Sequence, residues 1–152
     1  MNLTEHFSWE EMTATSHADL QAQNRVEAES YRQALTATCK LGEEVRAILG
    51  VPMTVTSGFR GPSVNAAAKG SRTSQHMKGE AMDFLPGGGL SLQTAFDRIL
   101  DAGKAGKIYW GQLLIERGWI HISLGSPWRD PARCGEYGHQ RADGSVSIDG
   151  RV

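Results

Sequence analysis

His76 and Asp83 stand seven positions apart in Ser74-Gln75-His76-Met77-Lys78-Gly79-Glu80-Ala81-Met82-Asp83-Phe84, with small or flexible residues between them. A second imidazole, His121, lies downstream in Gly118-Trp119-Ile120-His121-Ile122-Ser123. Two histidines and an aspartate form a three-ligand set that leaves the fourth position of a tetrahedral zinc open. Such a set with a divalent ion has a net charge of about +1, acidic enough to lower the pKa of a bound water toward about 7. The chemistry predicted is metal-assisted hydrolysis with one zinc ion, although a His2Asp site also tolerates other divalent ions. Each residue alone has a plainer reading. His76 suits a surface loop, Asp83 suits a cap or salt bridge, and His121 between Ile120 and Ile122 suits a satisfied core position. The pattern of all three together, with Gly79 and Ala81 at fixed offsets, favours the metal.

The elements that must position these residues are legible in outline. Ser8 followed by Glu10 and Glu11 predicts a short helix start, a capping hydroxyl ahead of acids in the first turn. Asn24 to Leu49 carries an apolar stripe at helical spacing and is expected to form one long helix, ended by Gly50 and Pro52. Met53 to Ser57 alternates and is rich in β-branched residues, so a strand is expected there, running into a loop through Phe59 and Arg60. Gly61 to Asn65 predicts a turn opening a short helix, and 69–73 a polar loop. Ala81 to Leu85 predicts a second strand, and Ser91 is expected to cap a second helix over Leu92 to Gly103.

Arg117-Gly118 divides two alternating apolar runs and predicts a tight hairpin. In that register Glu116 opposes Trp119, Leu114 opposes His121 and Gln112 opposes Ser123. Glu116 is then a diagonal neighbour of His121 on one face of the sheet, a placement that a one-residue slip would destroy. Residues 126–152 are rich in Gly, Arg, Asp and Ser without sustained periodicity, which predicts a largely irregular tail.

Composition narrows the remaining classes. The chain has 152 residues, 39% hydrophobic and 22% charged, ordinary values for a single folded domain spanning 1–152. A formal net charge of -1 offers no global attraction to nucleic acid. No apolar run reaches membrane-spanning length, and Met1 to His6 lacks the basic and apolar regions of a secretory signal. Synthesis in the cytoplasm and a monomeric state are expected. Gly87-Gly88-Gly89 is not followed by Gly-Lys-Ser/Thr, which argues against a phosphate loop. Cys39 and Cys134 are too few for a disulfide framework. Two free thiols are expected, with a bridge between them left open until geometry is known.

The set Ser74-x-His76-x-x-Gly79-x-Ala81-x-Asp83, preceded by Ser57-Gly58-Phe59-Arg60-x-Pro62-x-x-Asn65 and followed by Trp119-Ile120-His121, resembles the M15 metallopeptidases. That family includes zinc D-alanyl-D-alanine carboxypeptidases, D,D-dipeptidases and phage endolysins that cut L-alanyl-D-glutamate. The resemblance implies an α+β fold of the Hedgehog/D,D-peptidase type, a small antiparallel sheet carrying zinc with helices packed behind it. It implies His76, Asp83 and His121 as zinc ligands, Ser74 as a residue lining the substrate pocket, and Arg60 as the guanidinium that meets the scissile carbonyl or a substrate carboxylate. Phe59 stands where the family motif has Tyr. Several members also carry an acid three residues before the last histidine, and Gly118 occupies that position here. Glu116 is the only nearby carboxylate, so it is expected to act as general base; otherwise the base is missing. The activity implied is hydrolysis of peptidoglycan stem peptides, in the manner of a phage or prophage endolysin acting on the wall after release. The alternatives are a zinc-holding, non-catalytic wall or virion module, and a D-Ala-D-Ala dipeptidase or carboxypeptidase.

Overall fold

The computed structural model describes residues 1–71 and 73–152. The polar loop expected over 69–73 includes Arg72, which lies outside the described residues.

Helix α1 (Trp9–Met12) opens on Ser8, whose side chain accepts from Glu11 N while the Glu11 carboxylate accepts from Ser8 N. This reciprocal capping box satisfies two donors that a helix start leaves unpaired. The expected single helix over Asn24 to Leu49 divides into α2 (Gln21–Ala28), a 3-10 turn at Glu29–Tyr31, and α3 (Arg32–Leu49). Tyr31 leaves helical geometry at φ -117° and ψ 18°, and its ring stacks on Phe59 at 5.4 Å. No breaker residue marks that position, so the division is a tertiary effect that local periodicity does not encode.

Strand β1 (Met53–Ser57), helix α4 (Pro62–Ala67), strand β2 (Ala81–Pro86), helix α5 (Leu92–Lys104), and strands β3 (Gln112–Ile115) and β4 (Ile120–Ser123) follow in the expected order. Ser91 caps α5 by accepting from Thr94 N. The β3–β4 hairpin takes the expected register: Leu114 opposes His121, Ile115 opposes Ile120, and Glu116 N donates to Trp119 O at 2.9 Å.

The C-terminal segment is a correction. In place of an irregular tail it forms strands β5 (Glu136–Gln140) and β6 (Val146–Arg151). The sheet therefore has six strands in the order β1-β2-β4-β3-β5-β6, and β5 runs parallel to β3 beside otherwise antiparallel pairs. Alternation fails to announce these strands for a physical reason. A register shift falls between Tyr137 and Gly138, and Gly138 passes so close to β6 that a Cβ there would meet Ser147 O at 2.0 Å. A strand with a bulge and an obligatory glycine at its closest approach loses the period-2 signature.

Helices α3 and α5 pack against one face of the sheet. Met82 and Phe84 of β2, Leu113 of β3, and Ile120 and Ile122 of β4 are fully buried in the core with Leu35, Val45, Phe96 and Ile99. Burying side chains of this size stabilises by about 1.5–3 kcal/mol each. Strand alternation then turns Ala81, Asp83, Leu114, His121 and Ser123 to the opposite face. Both cysteines are buried and free. Among the described residues no helix is long and apolar enough to cross a membrane.

Candidate metal centre

The site is assembled on that second face. Ser74 caps a 3-10 turn over Gln75–Lys78, its hydroxyl accepting from His76 N at 3.2 Å. Gly79 closes the turn at φ +69°, where a side chain would be strained, and a Cβ would come within 2.9 Å of Leu35 Cγ. The chain enters β2 two residues later, which converts the spacing between His76 and Asp83 into convergence. Asp83 and His121 are direct cross-strand partners on β2 and β4. Donor atoms of His76, Asp83 and His121 all lie within 4.8 Å of one another, and the three residues are buried.

Hydrogen bonds on the far side of each ring assign the imidazole tautomers. His76 Nδ1 faces the Gly58 carbonyl at 2.7 Å, and His121 Nε2 faces the Gln75 side-chain carbonyl at 3.2 Å. A carbonyl oxygen only accepts, so each of these nitrogens carries the proton. The lone pairs of His76 Nε2 and His121 Nδ1 then both point at Asp83 Oδ1, at 3.2 and 2.9 Å. Three electron-rich atoms facing one another repel unless a positive charge lies among them. Ligand atoms around a tetrahedral ion at 2.0–2.2 Å stand roughly 3.4 Å apart, so the observed edges suit a small divalent ion. Burial alone would raise the Asp83 pKa; with no ion bound and both rings carrying a second proton toward Asp83, the charge of His76 and hydrogen bonds from both histidines override it and hold the carboxyl well below the usual carboxylate range. The residues present fit a divalent metal, and no rearrangement of the strands is needed to hold one.

The other expected site residues share the cleft. A cavity of about 560 Å³ opens over the triad, and Arg60, Ser74 and Glu116 contribute to its lining. Arg60 N donates to His76 O at 3.0 Å, and its Nη2 donates to Ser74 Oγ at 3.2 Å. Ser74 Oγ thus accepts twice, from His76 N and from Arg60, which leaves its O–H to donate outward. Arg60 Nε is buried with no partner among the described residues. Glu116 follows the last residue of β3, two positions beyond Leu114, and lines the cleft on the side that carries His121. The Trp119 indole N–H donates to Glu116 Oε2 and fixes the carboxylate in place. Burial pushes the Glu116 carboxyl up and Asp83 adds to the rise, against the opposing pull of His121 and the Trp119 hydrogen bond.

Three contributors escaped the sequence reading. Gln75 and Trp119 lie inside the quoted motifs, yet nothing in their spacing signals that they orient His121 and Glu116. The Gly58 carbonyl has no side-chain signature at all.

A family profile described as Peptidase M15 matches residues 5–123, which takes in α1 through β4 and every residue of the triad. No curated protein sequence matches the chain. A match over most of the chain, joined to a buried His-Asp-His cluster on the sheet face where the motif residues meet, shows that this chain belongs to the Peptidase M15 family, whose members are metallopeptidases.

Proposed function

We propose that the protein is a zinc-dependent peptidase that hydrolyses amide bonds in peptidoglycan stem peptides, in the manner of a phage or prophage endolysin. The observation that carries this reading is the shared face: Glu116, Arg60 and Ser74 line the same cleft as His76, Asp83 and His121. A module that only held a metal would have no use for a shielded carboxylate pinned beside it.

When bound by His76, Asp83 and His121, zinc supplies Lewis acidity that lowers the pKa of a water and polarises a carbonyl. The chain's own residues do the rest. Glu116, raised by burial and held by Trp119, takes a proton from the attacking water and delivers it to the leaving amine. Arg60 and the outward O–H of Ser74 bind the carbonyl oxygen as charge builds on it, an effect worth about 3–4 kcal/mol for one well-placed donor. The half-buried position of Glu116 excludes much of the water that would compete for its proton.

The experiment is direct. Purified protein loaded with zinc is incubated with peptidoglycan, and free amino groups are counted. Release that stops with a chelator and returns with zinc supports the reading. Absence of release under every metal condition sinks it. Digestion of defined stem peptides, with products identified by mass, separates an endolysin-type cut from D-Ala-D-Ala dipeptidase or carboxypeptidase action.

A further inference from the structure

We infer that Arg129 is a specificity-determining residue, a second anchor in the cleft that binds a free carboxylate on the substrate, on the far side of the triad from Glu116. The inference rests on the peptidase reading above for its substrate.

The placement follows from the sheet. Gln112 and Leu114 of β3 and Glu116, the residue just past its end, alternate along the chain and all line the cleft. Leu114 stands opposite His121, so Glu116 and Gln112 flank the triad's level by two residues each, about 7 Å in opposite directions. Gln112 pairs with Glu136 of the neighbouring β5, and its side-chain amide reaches Glu136 Oε1 at 3.4 Å. The same oxygen accepts from Arg129 Nη2 at 2.8 Å. Arg129 therefore stands at the Gln112 end of the cleft, about two to three extended residues from the scissile position.

The state of this guanidinium points to a ligand. The Arg129 side chain is only 10% exposed, and its Nη1 is shielded from solvent with no acceptor among the described residues. Arginine does not lose its proton in proteins, so neutralisation offers no escape. A single carboxylate, Glu136, holds one corner and leaves the other unmet. Asp130 lines the cleft nearby, but its Oδ1 accepts from Ala132 N at 2.9 Å. Arg133 adds a second cation to the same wall, while Glu80 enters from the residue just before β2, with β4 and β3 between that strand and β5. An anchored guanidinium with a spare N–H beside a peptide cleft suits a planar oxyanion, which a carboxylate supplies and a carboxamide does not.

The test uses two synthetic peptides that differ only in a free carboxylate or a carboxamide two or three residues from the scissile amide. Equilibrium binding is read by tryptophan fluorescence with chelator present, and turnover with zinc. The wild-type chain is expected to bind the acid about 10-fold or more tightly than the amide, with the preference appearing in KM rather than kcat. R129Q is expected to bind both alike at unchanged metal stoichiometry. Equal binding of acid and amide by the wild-type chain overturns the inference, whatever the fate of the variant. So does a preference that survives undiminished in R129Q. Preferred binding of the acid without any turnover retains the Arg129 assignment and removes the hydrolytic reading instead.

Discussion

Asp83 and His121 face each other across β2 and β4 as cross-strand partners, with Asp83 Oδ1 2.9 Å from His121 Nδ1. Hydrogen-bonded strands thus fix two of the three candidate ligands, and only His76 depends on a turn. Strand pairing sets these two side chains opposite each other before any ion arrives.

Metal should stabilise the folded chain. At a free ion concentration 100-fold above Kd, linkage adds about 2.7 kcal/mol, or roughly 5–10 °C in Tm for a chain of this size. Asp83→Asn should abolish most of that shift and lower bound metal, measured by elemental analysis beside differential scanning calorimetry. An unchanged Tm shift in this variant would remove Asp83 from the ligand set.

Gln75→Ala should weaken metal binding by about 10–100-fold without unfolding the chain, because His121 loses the acceptor that orients it. Gln75→Glu keeps an acceptor at that position and should retain most of the affinity. Competition with a chromophoric chelator measures both. Equal affinity in the alanine variant and the parent would show that β4 alone orients the ring.

Glu116→Gln should lower kcat by about 10²–10⁴-fold while metal content stays the same. The carboxylate must be ionised to act, so activity should fall as pH drops through a Glu116 pKa that burial has raised. Trp119→Phe removes a hydrogen bond to the charged form, so the acid limb should move to still higher pH. Profiles of kcat/KM against pH decide this, and a limb that moves down would contradict the assignment.

Asp83 has a linked effect on stability in chelator-treated protein. Its folded pKa is depressed, so its contribution is present above the ordinary carboxylate pKa and is lost as pH falls through the folded value. Urea midpoints should therefore drop below about pH 4, and Asp83→Asn should flatten that dependence. A parent and variant with parallel curves would place the acid sensitivity elsewhere.

Gly138→Ala should destabilise the protein by about 1–3 kcal/mol, because the new methyl group would meet Ser147 O at 2.0 Å. Gly118, with nothing within 4 Å of a built Cβ, serves as the control and should tolerate alanine. A loss confined to Gly138 would confirm that 136–151 is structural sheet.

Much of this architecture was readable beforehand, where local chemistry decides. Ser8 and Ser91 announce their caps, and the Arg117-Gly118 turn sets the register that brings Glu116 to the His121 face. The parts that stayed hidden depend on distant contacts. Tyr31 interrupts the long helix where it stacks on Phe59, and β5 finds β3 through a parallel pairing that no turn residue signals. Arg129 stands beyond the motif residues and acquires meaning only through Glu136, a neighbour across β5.

The carbonyls of Gly58 and Gln75 have one more effect. Each ring already carries its hydrogen on the nitrogen turned away from the centre. Where both rings are neutral, an arriving ion therefore has no tautomer exchange to wait for, and capture should proceed as a single association step whose rate follows ion concentration linearly.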